Sequence, residues 1–492
     1  MNIKKILIGL ILLLILAEFA SCKSDRPNDS SNTDAPNNGE SASDNELTDP
    51  SKPVLPEVDY KGDAFTFLVQ EYVNGYWGSY EIYAEEETGD PINDAVYIRN
   101  RKVEEKLNIN IKEVRTDAVH TTAQKSIGAD ESSYDCIMPA LRYAADMASN
   151  GYLISLDQLP YINLEGPWWD QNANAGMTIG NRLFFTVGDL NIMDKDSLFI
   201  VMFNKAVAQN NGVENLYNLI RENKWTMDKF HSIIKETAQD INGDGKMGFE
   251  DMAGLLTSSY CINILYYHTG ETATRKDADG YPYFTMNNER GIRAAEKAFE
   301  IITDKSATVL AEELTGVGNV YDAMQQMFQS DRGLFYMMQI TYLHRMRTME
   351  SDFGILPTPK LDEMQDKYYT AINREVANCV AVPVTVRDRE KTSVIIEALA
   401  GESKYTVIPA YYEITITNKM IRDEESAEML DIILSSRVFD LGFIFGWGDL
   451  GNVPWSLYPN KGGNFVSTYE KREPVAISEM EKTIEAFKNL NN

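Results

Sequence analysis

Short runs of strand-forming residues separated by helix-length stretches recur along most of this 492-residue chain, and no other feature constrains the fold as tightly. Ala64-Phe-Thr-Phe-Leu-Val69 reads as a strand, a helix capped by Asp94 runs to about Leu107, and Ile109 to Val114 is strand again. That is a βαβ unit, which makes its two strands parallel. Tyr134 to Met138 adds a strand ended by Pro139, and a helix through Arg142 to Ala148 follows. Strand character returns at Leu198 to Phe203, at Phe335 to Met338 and at Val380 to Pro383. Thr226 has the side chain and position of an N-cap for the helix after Trp225. Further helices are expected over Lys391 to Ala400, Glu424 to Arg437 and Val475 to Leu490. The class is α/β.

The first 57 residues carry a different pattern. Lys4 and Lys5 precede an apolar run from Ile6 to Ala17, and the small residues Ala20 and Ser21 precede Cys22. A basic start, an apolar stretch too short to span a bilayer and small residues before a cut form a secretory signal, here residues 1–21. A cysteine at the cut suggests a bacterial lipobox, so Cys22 is expected to be acylated with a palmitate-type chain and to anchor the protein to the outer face of the cell membrane. Phe19 stands where Leu is more usual. Residues 22–57 are almost wholly polar, with too little apolar surface to fold, and read as a disordered tether with the domain beginning near Val58.

The formal charge of −28 argues against nucleic acid and anionic lipid headgroups as partners. Besides Cys22 the thiols are Cys136, Cys261 and Cys379, odd in number and far apart, so buried free thiols rather than a disulfide framework are expected.

Several segments resemble the extracellular solute-binding proteins of ABC importers, in the group that includes sugar-binding lipoproteins. Gly151-Tyr-Leu-Ile-Ser-Leu-Asp157 is similar to that family's Gly-x-Leu-x-x-Leu-Asp stretch. Ser197 to Lys205 followed by Lys224-Trp-Thr-Met-Asp-Lys-Phe230 resembles its crossover strand and first second-lobe helix. Asp352-Phe-Gly-Ile-Leu-Pro-Thr-Pro359 and Ala381-Val-Pro383 resemble its return to the first lobe. The resemblance implies a two-lobe periplasmic-binding-protein-like fold of type II, with hinge strands crossing between the lobes. On that basis the first lobe takes residues 58–198 plus 333–402 and the second takes 199–332 plus 403–492. It also implies a monomeric binding protein, not an enzyme, that hands a small solute to the permease subunits of an ABC importer.

Residues 240–251 match a calcium-loop template independently of family. Asp240, Asn242 and Asp244 supply oxygens at positions one, three and five, Gly245 allows the turn at six, Lys246 offers its backbone carbonyl, and Asp251 stands at twelve. A structural calcium is expected. The same residues also favour an ion-free surface turn.

Catalytic patterns are absent. His120, His231, His268 and His344 have no zinc spacing, no nucleophile elbow or phosphate loop appears in context, and 74 acidic residues make any carboxylate pair uninformative. Sugars bind through aromatic platforms flanked by amides, carboxylates and arginine. Candidate platforms are Tyr76-Trp77, Trp168-Trp169 and Trp447 with Asp449 after it; polar candidates at strand ends are Gln70, Glu71, Arg142 and Gln339. Trp225 reads as packing. A carbohydrate or oligosaccharide is the expected solute. A peptide or other polar solute, a surface glycan-processing enzyme and a ligand-sensing receptor remain as alternatives.

Overall fold

The computed structural model describes residues 51–72, 77–412, 423–459 and 463–489. In chain order the first five strands are β1 (Asp63–Gln70), β2 (Ile109–Thr116), β3 (Cys136–Ile137), β4 (Leu153–Ile154) and β5 (Phe185–Thr186). β1 pairs in parallel with β2 and β3. The connecting helix Pro91–Leu107 is capped by Asp90, whose carboxylate accepts the Ile92 and Asn93 amides at 3.0 and 3.1 Å. The expected cap, Asp94, instead accepts the Thr88 and Gly89 amides and ties down the loop before the helix.

The chain then passes through the short helix Met193–Asp196 into β6 (Phe199–Asn204), followed by β7 (Ala253–Thr257), the hairpin β8 (Thr274–Lys276) and β9 (Pro282–Phe284), β10 (Thr308–Leu310), β11 (Gly333–Gln339) and β12 (Phe353–Leu356). β6, β7, β10, β11 and β12 form a second sheet in the order β10-β7-β11-β6-β12. β6 and β11 are buried at every residue, as the central strands of a sheet covered on both faces must be. The helix Met227–Thr237 starts at Thr226, which accepts the Lys229 amide, and Trp225 packs edge-on against Phe230 with no exposure.

After β13 (Thr370–Ala371), strand β14 (Val380–Pro383) re-enters the first sheet antiparallel to β3, β4 and β5. The result is a mixed α/β protein of two lobes, each built on its own sheet, with the chain crossing between β5 and β6 and again between β12 and β14.

The lobe boundaries need two corrections. Residues 333–356, expected in the first lobe, belong to the second sheet: β11 lies between β7 and β6, and β12 pairs with β6. The strand-type run at Phe335 identifies an element but not its sheet, because pairing is decided by long-range register. Within 403–492, expected wholly in the second lobe, the helix Val407–Tyr412 packs on the first-lobe helix Pro91–Leu107, while the helix Glu424–Ser435 packs on β12. The folded part also begins before Val58. Leu55 packs against the first-lobe core, and Gly401 lets Pro53 approach so closely that a Cβ there would lie 2.7 Å from its ring. Cys136, Cys261 and Cys379 are free and buried, and Cys22 lies outside the described residues.

Candidate ligand-binding cleft

Ligands of open α/β sheets bind just past the carboxyl ends of the strands. Here those ends from both lobes face one cleft. Gln70 ends β1, Asp117 follows β2, Met138 and Ala140 follow β3, and together with His120 and Tyr143 they line a chamber of about 290 Å³. Ser258 and Tyr260 follow β7, Gln339 ends β11, and with Tyr321 and Tyr342 they line an adjoining chamber of about 450 Å³. Trp77 and Glu375 line both chambers, so the two are halves of one cleft. Their volumes lie in the range of small-molecule sites.

The walls are aromatic and their polar atoms are unevenly committed. The His120 ring stacks on Tyr143 with centroids 3.8 Å apart and planes 6° from parallel, and partial burial lowers the imidazole pKa. Gln70 is held at the rim by its side-chain amide, which donates to the Glu71 and Asp117 carbonyls at 3.1 and 3.3 Å. Asn378 is fully engaged, donating to the buried Glu81 carboxylate at 2.7 Å and accepting from Asn191 at 3.1 Å. On the facing wall the Gln339 carbonyl oxygen and the Tyr260 hydroxyl are buried without a hydrogen-bond partner, and Gln339 is only 8 % exposed. A buried polar atom left unpaired costs about 1–3 kcal/mol, which a hydroxyl-rich ligand would recover. Glu375, beside them, accepts from Arg374 Nε at 2.9 Å. Among the described residues no lysine or arginine lines either chamber.

Of the residues expected from sequence, the cleft therefore gathers Gln70, Trp77 and Gln339. Tyr76 lies outside the described residues. Glu71 is exposed, its carboxylate accepting the Tyr72 amide at 2.9 Å, and lines neither chamber. Arg142 sits one position from the cleft-lining Tyr143 on the helix Leu141–Ser149 and pairs with Asp146 at 2.6 Å.

The other tryptophan candidates are corrected to core. Trp168 and Trp169 are 1 % and 3 % exposed in the first-lobe core, and the Trp169 indole donates to Glu397 at 3.1 Å. Trp447, flanked by glycines, has the sequence of an exposed platform. Instead it is 3 % exposed, stacks on Phe445 at 4.9 Å and donates to Thr483 on the long C-terminal helix. Asp449 pairs with Arg472 at 2.9 Å, away from both chambers. Sequence reasoning missed Asp117, His120, Tyr143, Tyr260, Tyr342 and Glu375. The strand-end rule, applied to β2 and β7, points to Asp117 and Tyr260 without further help.

In the calcium-type loop the four acidic or amide side chains divide into two kinds. Asp251 is fully buried and spends both carboxylate oxygens on the loop's own backbone, accepting Ile241 N–H at 2.9 Å and Gly248 N–H at 2.8 Å. It acts as a staple, which corrects its expected role as the ligand at position twelve. Asp240, Asn242 and Asp244 are exposed and each accepts backbone amides at 2.7–2.9 Å. Among the described residues no three acidic, histidine or cysteine side chains converge as a metal set. The exposed oxygens have the right chemistry for calcium, but their number falls short of the six to eight it prefers.

No protein-family model matches the chain, and no curated protein matches it either. Solved structures do match. A sugar transporter protein from Rhizobium etli in an open conformation aligns at TM-score 0.55 and 12% identity, over 86% of this chain and 99% of that one. The maltose/maltodextrin-binding domain from Bdellovibrio bacteriovorus bound to maltotriose aligns at 0.52 and 10%, over 87% and 100%. An ABC substrate-binding protein from Listeria monocytogenes in complex with cycloalternan aligns at 0.51 and 11%, over 87% and 99%. At such identities the likeness concerns architecture: this chain has the two-lobe α/β fold of these substrate-binding proteins.

Proposed function

We propose that this protein binds an oligosaccharide in the cleft between its lobes and delivers it to an ABC import permease while tethered to the outer face of the cell membrane through acylated Cys22. The observation that carries the reading is the pair of unpaired buried polar atoms, on Gln339 and Tyr260, set among the rings of Trp77, Tyr143, Tyr321 and Tyr342. Sugar rings present apolar faces to aromatic side chains and hydroxyls to amides and carboxylates. The ligands named for the similar structures, maltotriose and cycloalternan, support a carbohydrate over a peptide. A cleft between lobes that close on a ligand couples binding to a shape a permease can sense.

No step of catalysis is needed. Cys22 is read as the lipid attachment point, and radiolabelled fatty acid is expected in the wild-type protein and not in Cys22→Ser. The 240–251 loop is read as a weak structural calcium site using Asp240, Asn242, Asp244 and the Lys246 carbonyl, with Asp251 holding the loop. The central test is an oligosaccharide screen in which a ligand shifts tryptophan fluorescence, raises the melting temperature by mass action and is recovered chemically unchanged. Shorter products would mean a glycan-processing enzyme, and a response to peptides alone would mean a peptide carrier.

A further inference from the structure

Beside the aromatic cleft lies a second chamber of about 450 Å³, also walled by both lobes. Its first-lobe wall carries Tyr72, Tyr83 and Arg115, and its second-lobe wall carries His344, Arg345 and Arg347 from the 3₁₀ helix Ile340–Thr348. The two sites abut. Thr341 lines this chamber and its neighbour Tyr342 lines the aromatic one, while Tyr72 and Arg115 stand two residues from Gln70 and Asp117.

Their charges are opposite. Among the described residues the aromatic chambers hold Glu375 and Asp117 and no lysine or arginine, whereas this one gathers three arginines on a protein of net charge −28. The two acids within it are already committed. Asp90 caps the helix Pro91–Leu107, and Asp196 is 4 % exposed and accepts from Tyr80 and Tyr411 hydroxyls at 2.7 and 2.9 Å. His344 Nε2 lies 3.8 Å from Asp196. Arg115 is held by Glu113 at 2.7 Å and Arg345 by Asp322 at 2.7 Å. Arg347 is exposed, and among the described residues no carboxylate lies within ion-pairing distance of it. Tyr72 and Tyr83 are 52% and 39% exposed, so their rings are available as platforms.

We propose that the second chamber is a subsite for an acidic sugar residue, so that the ligand is an oligosaccharide with a neutral part in the aromatic cleft and a carboxylate or sulfate group held by Arg347. The proposal deepens the carbohydrate reading and rests on it. A planar guanidinium pairs with either oxyanion in a two-pronged geometry that a lysine cannot copy. Tyr72 and Tyr83 supply the faces against which the charged ring packs.

The test is an array of neutral, uronate-containing and sulfated oligosaccharides probed with the full chain, followed by calorimetry on the strongest ligand. Acidic glycans should be the hits. Arg347→Ala should weaken the best of them tenfold or more, Arg347→Lys by less, and added salt should weaken wild-type binding more than that of Arg347→Ala. The melting temperature of the empty Arg347→Ala protein should match wild type. Loss of binding after reducing uronate carboxyls to alcohols identifies a carboxylate ligand, and loss after desulfation identifies a sulfate ester. Hits confined to neutral glycans, or an acidic hit indifferent to Arg347→Ala, would overturn the subsite while leaving the carbohydrate reading in place. An array without any glycan hit would overturn both.

Discussion

In the first-lobe core Trp169 donates its indole N–H to Glu397 among fully packed aliphatic side chains, whereas at the cleft Trp77 and Glu375 stand in the wall of two open chambers. The ingredients are the same, an indole and a carboxylate. What differs is closure. Around Trp169 the space is filled, so the pair contributes packing and pays for a buried carboxylate; around Trp77 the space is left for something else. Residue type therefore names what a site is able to do, and packing decides whether it does it.

The largest effect expected from that contrast is on stability. Trp169→Ala or Trp447→Ala leaves a cavity in a closed core and should cost about 3–5 kcal/mol, read as a large fall in melting temperature. Oligosaccharide affinity should change little in whatever folded protein remains. A Trp447→Ala protein that melts like wild type but binds sugar poorly would reverse the assignment.

Next in size is a pH dependence. Burial pushes the Glu397 carboxyl up to about 7 in the folded protein, against an unfolded value near 4.5. Between those values the native state holds more protons than the unfolded one, so stability falls as pH rises from about 4.5 to 7. At 1.36 kcal/mol per unit the loss is at most about 3–4 kcal/mol. Glu81 and Asp440, each pushed up to about 6 by burial, add to the slope. Glu397→Gln keeps an oxygen for the Trp169 indole and removes the charge, so its melting temperature should fall less between pH 5 and 7.5 than that of wild type. An unchanged slope would show that Glu397 ionises freely.

At the open site the prediction inverts. Trp77→Ala should weaken the oligosaccharide by about 1–3 kcal/mol, the scale of one large apolar side chain's burial, and leave the melting temperature of the empty protein within about a degree or two. Equal losses of affinity and stability would place Trp77 with the core residues.

This contrast also explains how much was legible in sequence. The α/β class, the helix begun by Thr226, the packing of Trp225 and the free buried thiols rest on local patterns, and each reappears in the fold. Gln70 and Gln339 were reachable because strand ends show in the sequence. Trp447 was not, because two flanking glycines look the same whether the indole between them faces water or Phe445, and Thr483 lies 36 residues away. The placement of residues 333–356 failed for the same reason: the pairing of β11 with β6 and β7 joins segments that no local signal connects.

The smallest expected effect repeats the contrast within one loop. All three accept loop backbone amides, but Asp251 is sealed from solvent while Asp240 and Asp244 are exposed. Asp251→Ala should lower the melting temperature by the same amount with calcium or with a chelator, because it leaves the Ile241 and Gly248 amides without their acceptor. Asp240→Ala with Asp244→Ala should instead remove the calcium response, read as the difference between calcium and chelator, on top of whatever the Gly243, Gly245 and Lys246 amides lose with their acceptors. Loop sites of extracellular modules bind at about 10⁻⁴–10⁻³ M, so calcium near 10 mM reaches at least ten times Kd. Binding confined to the folded state then stabilises by RT ln(1 + 10), about 1.4 kcal/mol. The response should appear as a small rise in wild-type melting temperature, reversed by chelator and missing from the double variant. A wild-type protein blind to calcium would assign all four side chains to an ion-free turn held by its own backbone amides.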